Sequence, residues 1–306
     1  MALGSTLLHS GEYVAARAAL EQGIALYDPQ QCRILAFSRG SDPGVACLAR
    51  VAWTLWFLGY ADQALARSRE ALALAKDMSH AYSLAFALHL AGVLHQSRRE
   101  VQVVLELAEE EMALSSAQGF PYWSEGGMIR RGWALVQQGT VEEGIAQLRQ
   151  GLDAWSTRGN NLGTTHVLAR LAEAYGKAGQ TAEGLGVLAE ALAAVRNNAE
   201  HLYEAELYRL KGELLLQSGV RGLEPEDCQA RLAKVEACFR QALDIAHRQQ
   251  AKSLELRATM SLARLWQTQG KQVEACQMLT AIYSWFTEGF DTPDLQEAQA
   301  LLAALQ

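Results

Sequence analysis

One spacing of small residues recurs along this chain and restricts it to a single kind of architecture. Its clearest copy is Gly132-Trp-Ala-Leu-Val-Gln-Gln-Gly139-Thr-Val-Glu-Glu-Gly144-Ile-Ala-Gln-Leu-Arg-Gln-Gly151. A small residue is followed seven positions on by glycine, then by small residues five and twelve positions beyond it. The first member of the series is Gly4, Ala52, Ala91, Gly132, Ala172, Gly212 and Ala263. The turn position is Gly11, Gly59, Arg98, Gly139, Gly179, Gly219 and Gly270. The second helix then opens on Ala16, Ala64, Val101 or Val103, Gly144, Gly184, Val235 and Ala275. Antiparallel helices approach most closely where side chains are small, and a glycine just past a helix end takes the left-handed conformation that stops it. One such pair cannot bury its own apolar face, so neighbouring pairs must stack.

The expectation is an all-α chain, a right-handed α-solenoid of about seven helix-turn-helix repeats with a C-terminal capping helix. The Ala- and Leu-rich composition, with only five prolines, suits it. The repeats fall near 1–27, 43–78, 80–118, 121–159, 161–198, 200–248 and 251–287, with the cap at 292–305, and together they make one superhelical domain over 1–306. Residues 28–42 form a long connection ending in Asp42-Pro43, an N-cap with proline at the first helical position. Residues 220–230 read as a polar surface insertion, and Glu109-Glu110-Glu111 as a solvated helix face. Residues 2–9 read as a core-facing half-helix with no polar turn before them, which suggests that more protein naturally precedes residue 1. The polar cap helix gives the other end a finished look.

Other classes of function find little support. A net charge of −7 argues against nucleic acid as a general partner. No apolar run nears the ~20 residues that cross a bilayer, and the N-terminus lacks a basic signal region, which reads as a cytoplasmic chain. Five cysteines, Cys32, Cys47, Cys228, Cys238 and Cys276, contain no C-x-x-C and read as small buried hydrophobes. Phosphate-binding, zinc-protease and nucleophile-elbow motifs are missing. No metal, cofactor or catalytic residue is therefore expected.

In such arrays the first helix of each pair lines the concave face. The residue after the small one runs Ser5, Trp53, Gly92, Trp133, Glu173, Glu213, Arg264, aromatic or neutral at first and charged later. Adding neighbours on the same face, the candidate binding residues are Trp53, Trp56, His95, Trp133 and Gln137 toward the aromatic end. Toward the charged end they are Glu173, Lys177, Glu206, Arg209, Glu213, Arg257, Arg264 and Gln267. An apolar anchor zone beside a charge-paired zone suits a peptide or amphipathic helix. A structural reading competes. Glu206, Arg209 and Glu213 are spaced to pair along their own helix, Arg257 and Arg264 to bridge to Glu213, and the tryptophans to fill the core.

Three strings, Leu58-Gly-Tyr-Ala-Asp-Gln-Ala-Leu-Ala-Arg-Ser-Arg-Glu-Ala-Leu72, Tyr203-Glu-Ala-Glu-Leu-Tyr-Arg-Leu-Lys-Gly-Glu-Leu214 and Trp285-Phe-Thr-Glu-Gly-Phe-Asp-Thr292, carry a resemblance. The chain resembles the C-terminal tetratricopeptide-repeat region of large bacterial proteins that join an adenylate/guanylate cyclase or kinase module to an AAA/STAND-type ATPase. The resemblance implies a non-catalytic sensor or interaction arm, with a protein or peptide ligand or the upstream modules of the same polypeptide as partners. It transfers no catalytic residue. A small-molecule-sensing domain and a self-associating spacer that forms a homo-oligomer are the alternatives.

Overall fold

The turn inside each helical pair is closed by backbone alone. Gly139 sits at φ 96°, and the amide of Thr140 reaches back to the carbonyl of Leu135 at 2.9 Å, the long bond of a Schellman turn. The same bond runs from Glu12 to Leu7, Tyr60 to Leu55, Glu100 to His95, Gln180 to Tyr175 and Lys271 to Trp266, all within 2.9–3.0 Å. Such helix ends need no side-chain cap. Asp42 does supply one, accepting from the Val45 amide at 3.0 Å with Pro43 at the first helical position, as its sequence suggests.

The computed structural model describes residues 1–29, 40–158, 163–219 and 225–306. Among these are fifteen helices and no strand. They fall into two compact units, Met1–Asn161 and Leu162–Gln306. The first unit holds α1 (Ala2–His9), α2 (Tyr13–Ala25), α3 (Pro43–Phe57), α4 (Ala61–Asp77), α5 (Ala81–Ser97), α6 (Val101–Gln118), α7 (Pro121–Gln137) and α8 (Val141–Thr157). The second holds α9 (Thr164–Lys177), α10 (Thr181–Asn198), α11 (Glu204–Gln217), α12 (Pro225–Gln249), α13 (Lys252–Thr268), α14 (Gln272–Tyr283) and the cap α15 (Pro293–Leu305). Within each unit, successive helices pack as antiparallel pairs of an α-solenoid.

The small residues do what their spacing implies. A Cβ on Gly132 would stand 2.8 Å from the Gly144 carbonyl oxygen, and one on Gly144 2.5 Å from that of Gly132, so α7 and α8 touch backbone to backbone. In unit 2 the corresponding pair meets through Gly212, whose absent side chain leaves room for the Phe239 ring. The far end of that unit is closed by an apolar cluster in which Leu256, Met260, Leu279 and Phe286 pack on Leu295 and Leu301 of the cap helix.

Four sequence expectations need correction. In the third pair the left-handed residue is Arg99 (φ 63°), not Arg98, so its small residue is Gly92, and the position five residues past the turn is buried Val104 although the helix itself starts at Val101. The residue after the small one there is Val93, which is buried, rather than Gly92. That one-residue shift puts Glu111 where the other pairs carry Gly23, Ala71, Gly151, Ala191 and Ala242. Glu111 is accordingly fully buried, while Glu109 and Glu110 alone form a solvated face. The expected insertion at 220–230 is helical from Pro225 onward, with 220–224 outside the described residues. Of the cysteines, Cys47 is buried, but Cys228, Cys238 and Cys276 are only half-buried, because the outer helices expose part of their circumference. Cys32 and most of the long connection (30–39) lie outside the described residues.

Candidate functional site

In unit 1 the aromatic candidates are interior. Trp53, Trp56 and Trp133 are 5%, 3% and 2% exposed, and Phe57 carries both Trp53 and Trp56, its ring centroid 5.5 and 5.0 Å from theirs. Gln137 is half-buried at the end of α7. His95 joins the turn after α5, where Glu100 accepts from it and from Arg98 Nε at 2.8 Å. Burial would raise the Glu100 carboxyl, but the hydrogen bonds from His95 and Arg98 and the Arg98 charge outweigh it and hold its pKa low.

The same unit carries a buried polar group that sequence reasoning missed. Arg130 of α7 forms an ion pair with Glu111 of α6, and its Nη1 lies 3.0 Å from His89 Nδ1 of α5. His89 Nδ1 is also 3.2 Å from the second Glu111 oxygen. Two absent side chains make room: a Cβ on Gly92 would fall 2.6 Å from Arg130, and one on Gly126 2.8 Å from His89. Burial pulls the Arg130 pKa down. A lone buried guanidinium costs several kcal/mol, and the Glu111 carboxylate is what makes it tolerable. The signal available in the sequence was Glu111 itself, once Gly92 and Arg99 set the register.

Unit 2 brings the charged candidates together. Glu206 and Arg209 of α11 form a two-pronged pair, both bonds 2.8 Å. Arg209 reaches Glu213 at 3.4 Å, and Glu213 accepts from Ser261 of α13 at 2.6 Å. Glu173 of α9 accepts from Arg170 at 3.1 Å, and Arg170 donates to the Tyr203 hydroxyl at 2.9 Å. Arg257 lies 3.8 Å from Glu206 but bonds Asp294 of the cap helix at 2.8 Å. Arg264 likewise faces Glu297 at 3.4 Å, and Gln267 donates to the Ala304 carbonyl at 3.4 Å. The expected bridges from Arg257 and Arg264 to Glu213 do not form, because α15 offers nearer acceptors. Tyr203, Ser261 and Asp294 are the members that spacing along one helix could not reveal, whereas Arg170 stands three residues before Glu173 on α9.

Electrostatics follow from this packing. Burial by itself would raise the Glu206 carboxyl, which is 2% exposed, but Arg209, Arg257 and Arg170 outweigh it and bring its pKa to about 2. Glu173 is held low in the same way by Arg170. Between α9 and α11 lies an open cleft of about 220 Å³, walled by Glu173, Gly176, Lys177, Arg209, Glu213 and Gln217. Four of the charged candidates line it, Lys177 exposed at its rim and Glu173 and Glu213 half-buried on its walls. The arrangement holds charges in place and presents no activated nucleophile. Among the described residues, no group of three or more His, Cys, Asp or Glu side chains could hold a metal ion, and no helix is long and apolar enough to cross a membrane.

No protein-family model matches the sequence, and no curated protein matches it. Solved structures do. A Rap protein complexed with Competence and Sporulation Factor is 12% identical, with 99% of this chain and 85% of that chain covered at a TM-score of 0.63. The apo form of RapI is 11% identical, with 98% and 96% covered at 0.55. A tetratricopeptide repeat protein from Parabacteroides merdae is 12% identical, with 99% and 95% covered at 0.50. At such identities the likeness concerns the fold, and it makes the chain an α-solenoid of tetratricopeptide-like repeats.

Proposed function

We propose that this chain is a non-catalytic interaction and regulatory domain, and that the cleft of unit 2 holds a charged segment of a protein or peptide. The observation that carries this reading is the convergence of Glu173, Lys177, Arg209 and Glu213 on one open cleft. Lys177 suits a ligand carboxylate, and Glu173 and Glu213 suit a ligand cation. Arg170 holds Glu173, and Arg209 with Ser261 holds Glu213, so little ordering is left for binding to supply. That a protein of similar fold is known in complex with Competence and Sporulation Factor fits a holding role. The resemblance to cyclase–ATPase regulators points to the upstream modules of a larger polypeptide as the partner. In that arrangement occupancy of the cleft would be read out by an ATPase or cyclase module that this sequence does not contain.

The test is a bacterial-lysate pull-down at low and high salt with residues 1–306 and with the charge-reversed Lys177→Glu/Glu213→Lys variant. The expected result is a protein retained at low salt by the natural chain and lost by the variant, with circular dichroism unchanged. Identical retention by both at every salt concentration, or no retained protein at all, would remove the cleft from consideration as a protein-binding site.

A further inference from the structure

Helix α13 presents its charged row, Arg257, Ser261 and Arg264, on one face. At ~100° per residue, from the 3.6-residue turn, Lys252, Glu255 and Thr259 project from the opposite face. There they line a second cavity, of about 260 Å³, closed by α12, α14 and the turn after it. Leu243, Met278 and Ile282 make its floor apolar, with exposed Ala281 at the rim. Trp285, 37% exposed, forms one side.

The polar rim has a specific arrangement. The Glu255 carboxylate is nearly buried, and one oxygen meets Lys252 Nζ at 2.7 Å while the other meets His247 Nε2 at 3.0 Å. The same Lys252 ammonium lies 5.6 Å from the centre of the Trp285 ring. A carboxylate and an indole face, with an apolar floor beside them, are the elements that recognise an alkyl ammonium group. The chain's own lysine fills the cationic position. It is tethered one residue into α13 and a quarter exposed, so it can turn outward to solvent. The volume lies just under the ~300 Å³ at which drug-sized pockets begin, so it suits a single side-chain-sized group.

The geometry points to a binding site for a cationic amphiphile, an ammonium group on a short aliphatic chain, entering as Lys252 swings out. The ammonium takes the place of Lys252 between Glu255 and Trp285, and its alkyl chain lies on Leu243, Met278 and Ile282. The group can come from a free alkylamine or from a lysine side chain of a partner, and the chemistry of recognition is the same.

The decisive variant is Lys252→Ala, which empties the cationic position without adding bulk. Calorimetric titration with n-pentylammonium should show binding to the natural chain and at least tenfold tighter binding to Lys252→Ala. Pentanoate, of matching length and opposite charge, should bind neither. Lys252→Ala/Glu255→Gln, checked for an unchanged circular dichroism spectrum, should lose the gain. A blocked lysine peptide titrated beside the free amine separates the two sources, and binding of either supports the site. No binding of either cation to Lys252→Ala, or equal binding of pentanoate, overturns it. The charge-reversed cleft variant Lys177→Glu/Glu213→Lys should bind the amine as the natural chain does, because the cleft between α9 and α11 shares no lining residue with this cavity.

Discussion

Replacing Glu200 by glutamine should stabilise unit 2 in a manner that depends on pH. Glu200 lies between α10 and α11, 3% exposed, and caps the start of α9 from outside the helix. Its Oε1 accepts from the Gly163 amide at 3.0 Å and the Thr165 hydroxyl at 2.9 Å, while Oε2 is buried without a hydrogen-bond partner among the described residues. Burial raises the carboxyl from 4.5 to about 7, and the bonds from Thr165 and Gly163 recover only part of that shift. Between those two values the folded chain holds a proton that the unfolded chain releases, so stability falls as pH rises from about 4.5 to 7. At ~1.4 kcal/mol for each pKa unit, ionisation costs the folded state roughly 3 kcal/mol at pH 8. Glutamine keeps the accepting oxygen and removes the charge. The variant should therefore match the natural chain near pH 4.5 and exceed it by about 2–3 kcal/mol at pH 8. Urea denaturation of both proteins across that range, followed by circular dichroism, reads the difference directly. His9 in unit 1, whose pKa burial lowers, pushes stability the other way over part of the window, but it is common to both proteins and cancels. A difference that stays constant with pH, or shrinks as pH rises, would refute the reasoning.

Glu206 supplies the opposite slope. With its carboxyl held near 2 by Arg209 and its neighbours, it stabilises unit 2 fully above about 4.5, and that stabilisation is lost as pH falls toward 2. Glu206→Gln should flatten the acid limb of the same urea series. In unit 1, Glu111→Ala strands Arg130 in the core and should cost about 3–5 kcal/mol. The apolar pair Glu111→Leu/Arg130→Met should restore most of it, and a double variant no better than the single one would mean that the ion pair is not what makes Glu111→Ala costly. Glycines separate by environment. Gly144→Ala drives a methyl into the α7 backbone and should destabilise by about 2–3 kcal/mol. Gly186→Ala in α10 meets only open space and should stabilise by about 0.5–1 kcal/mol, both read as denaturation midpoints.

The repeat was legible because it rests on hard constraints. A residue whose Cβ would fall 2.5–2.8 Å from a backbone oxygen must be glycine, as at Gly132 and Gly144, so the register shows through the sequence. It slipped by one in the third pair, where Ala91 and Gly92 are both small and Arg99 takes the left-handed conformation that glycine holds elsewhere. Helical spacing also shows which side chains share a face, and so it singled out Glu173, Glu213 and Arg264. It says nothing of depth. Trp53 and Trp133 occupy the same row as those charges and are nevertheless buried. Nor does spacing find partners on other elements. Ser261, Asp294 and Tyr203 complete the charged network from helices or loops far away in sequence, and the second pocket joins Lys252 and Glu255 of α13 to His247 of α12 and to Trp285 after α14.

Helix α13 has no dry side and wet side. Every residue from Ser253 to Ala263 is buried, so polar and apolar neighbours enclose it all round. A rod held in this way cannot roll or tilt to suit one neighbour alone. Any occupant of one face that slides it along its axis also resets the spacing on the other, where Glu255 and Thr259 stand back to back with Arg257 and Ser261. Thermodynamic linkage makes such an influence mutual: whatever one face gains or loses in affinity when the other is filled, the second gains or loses equally.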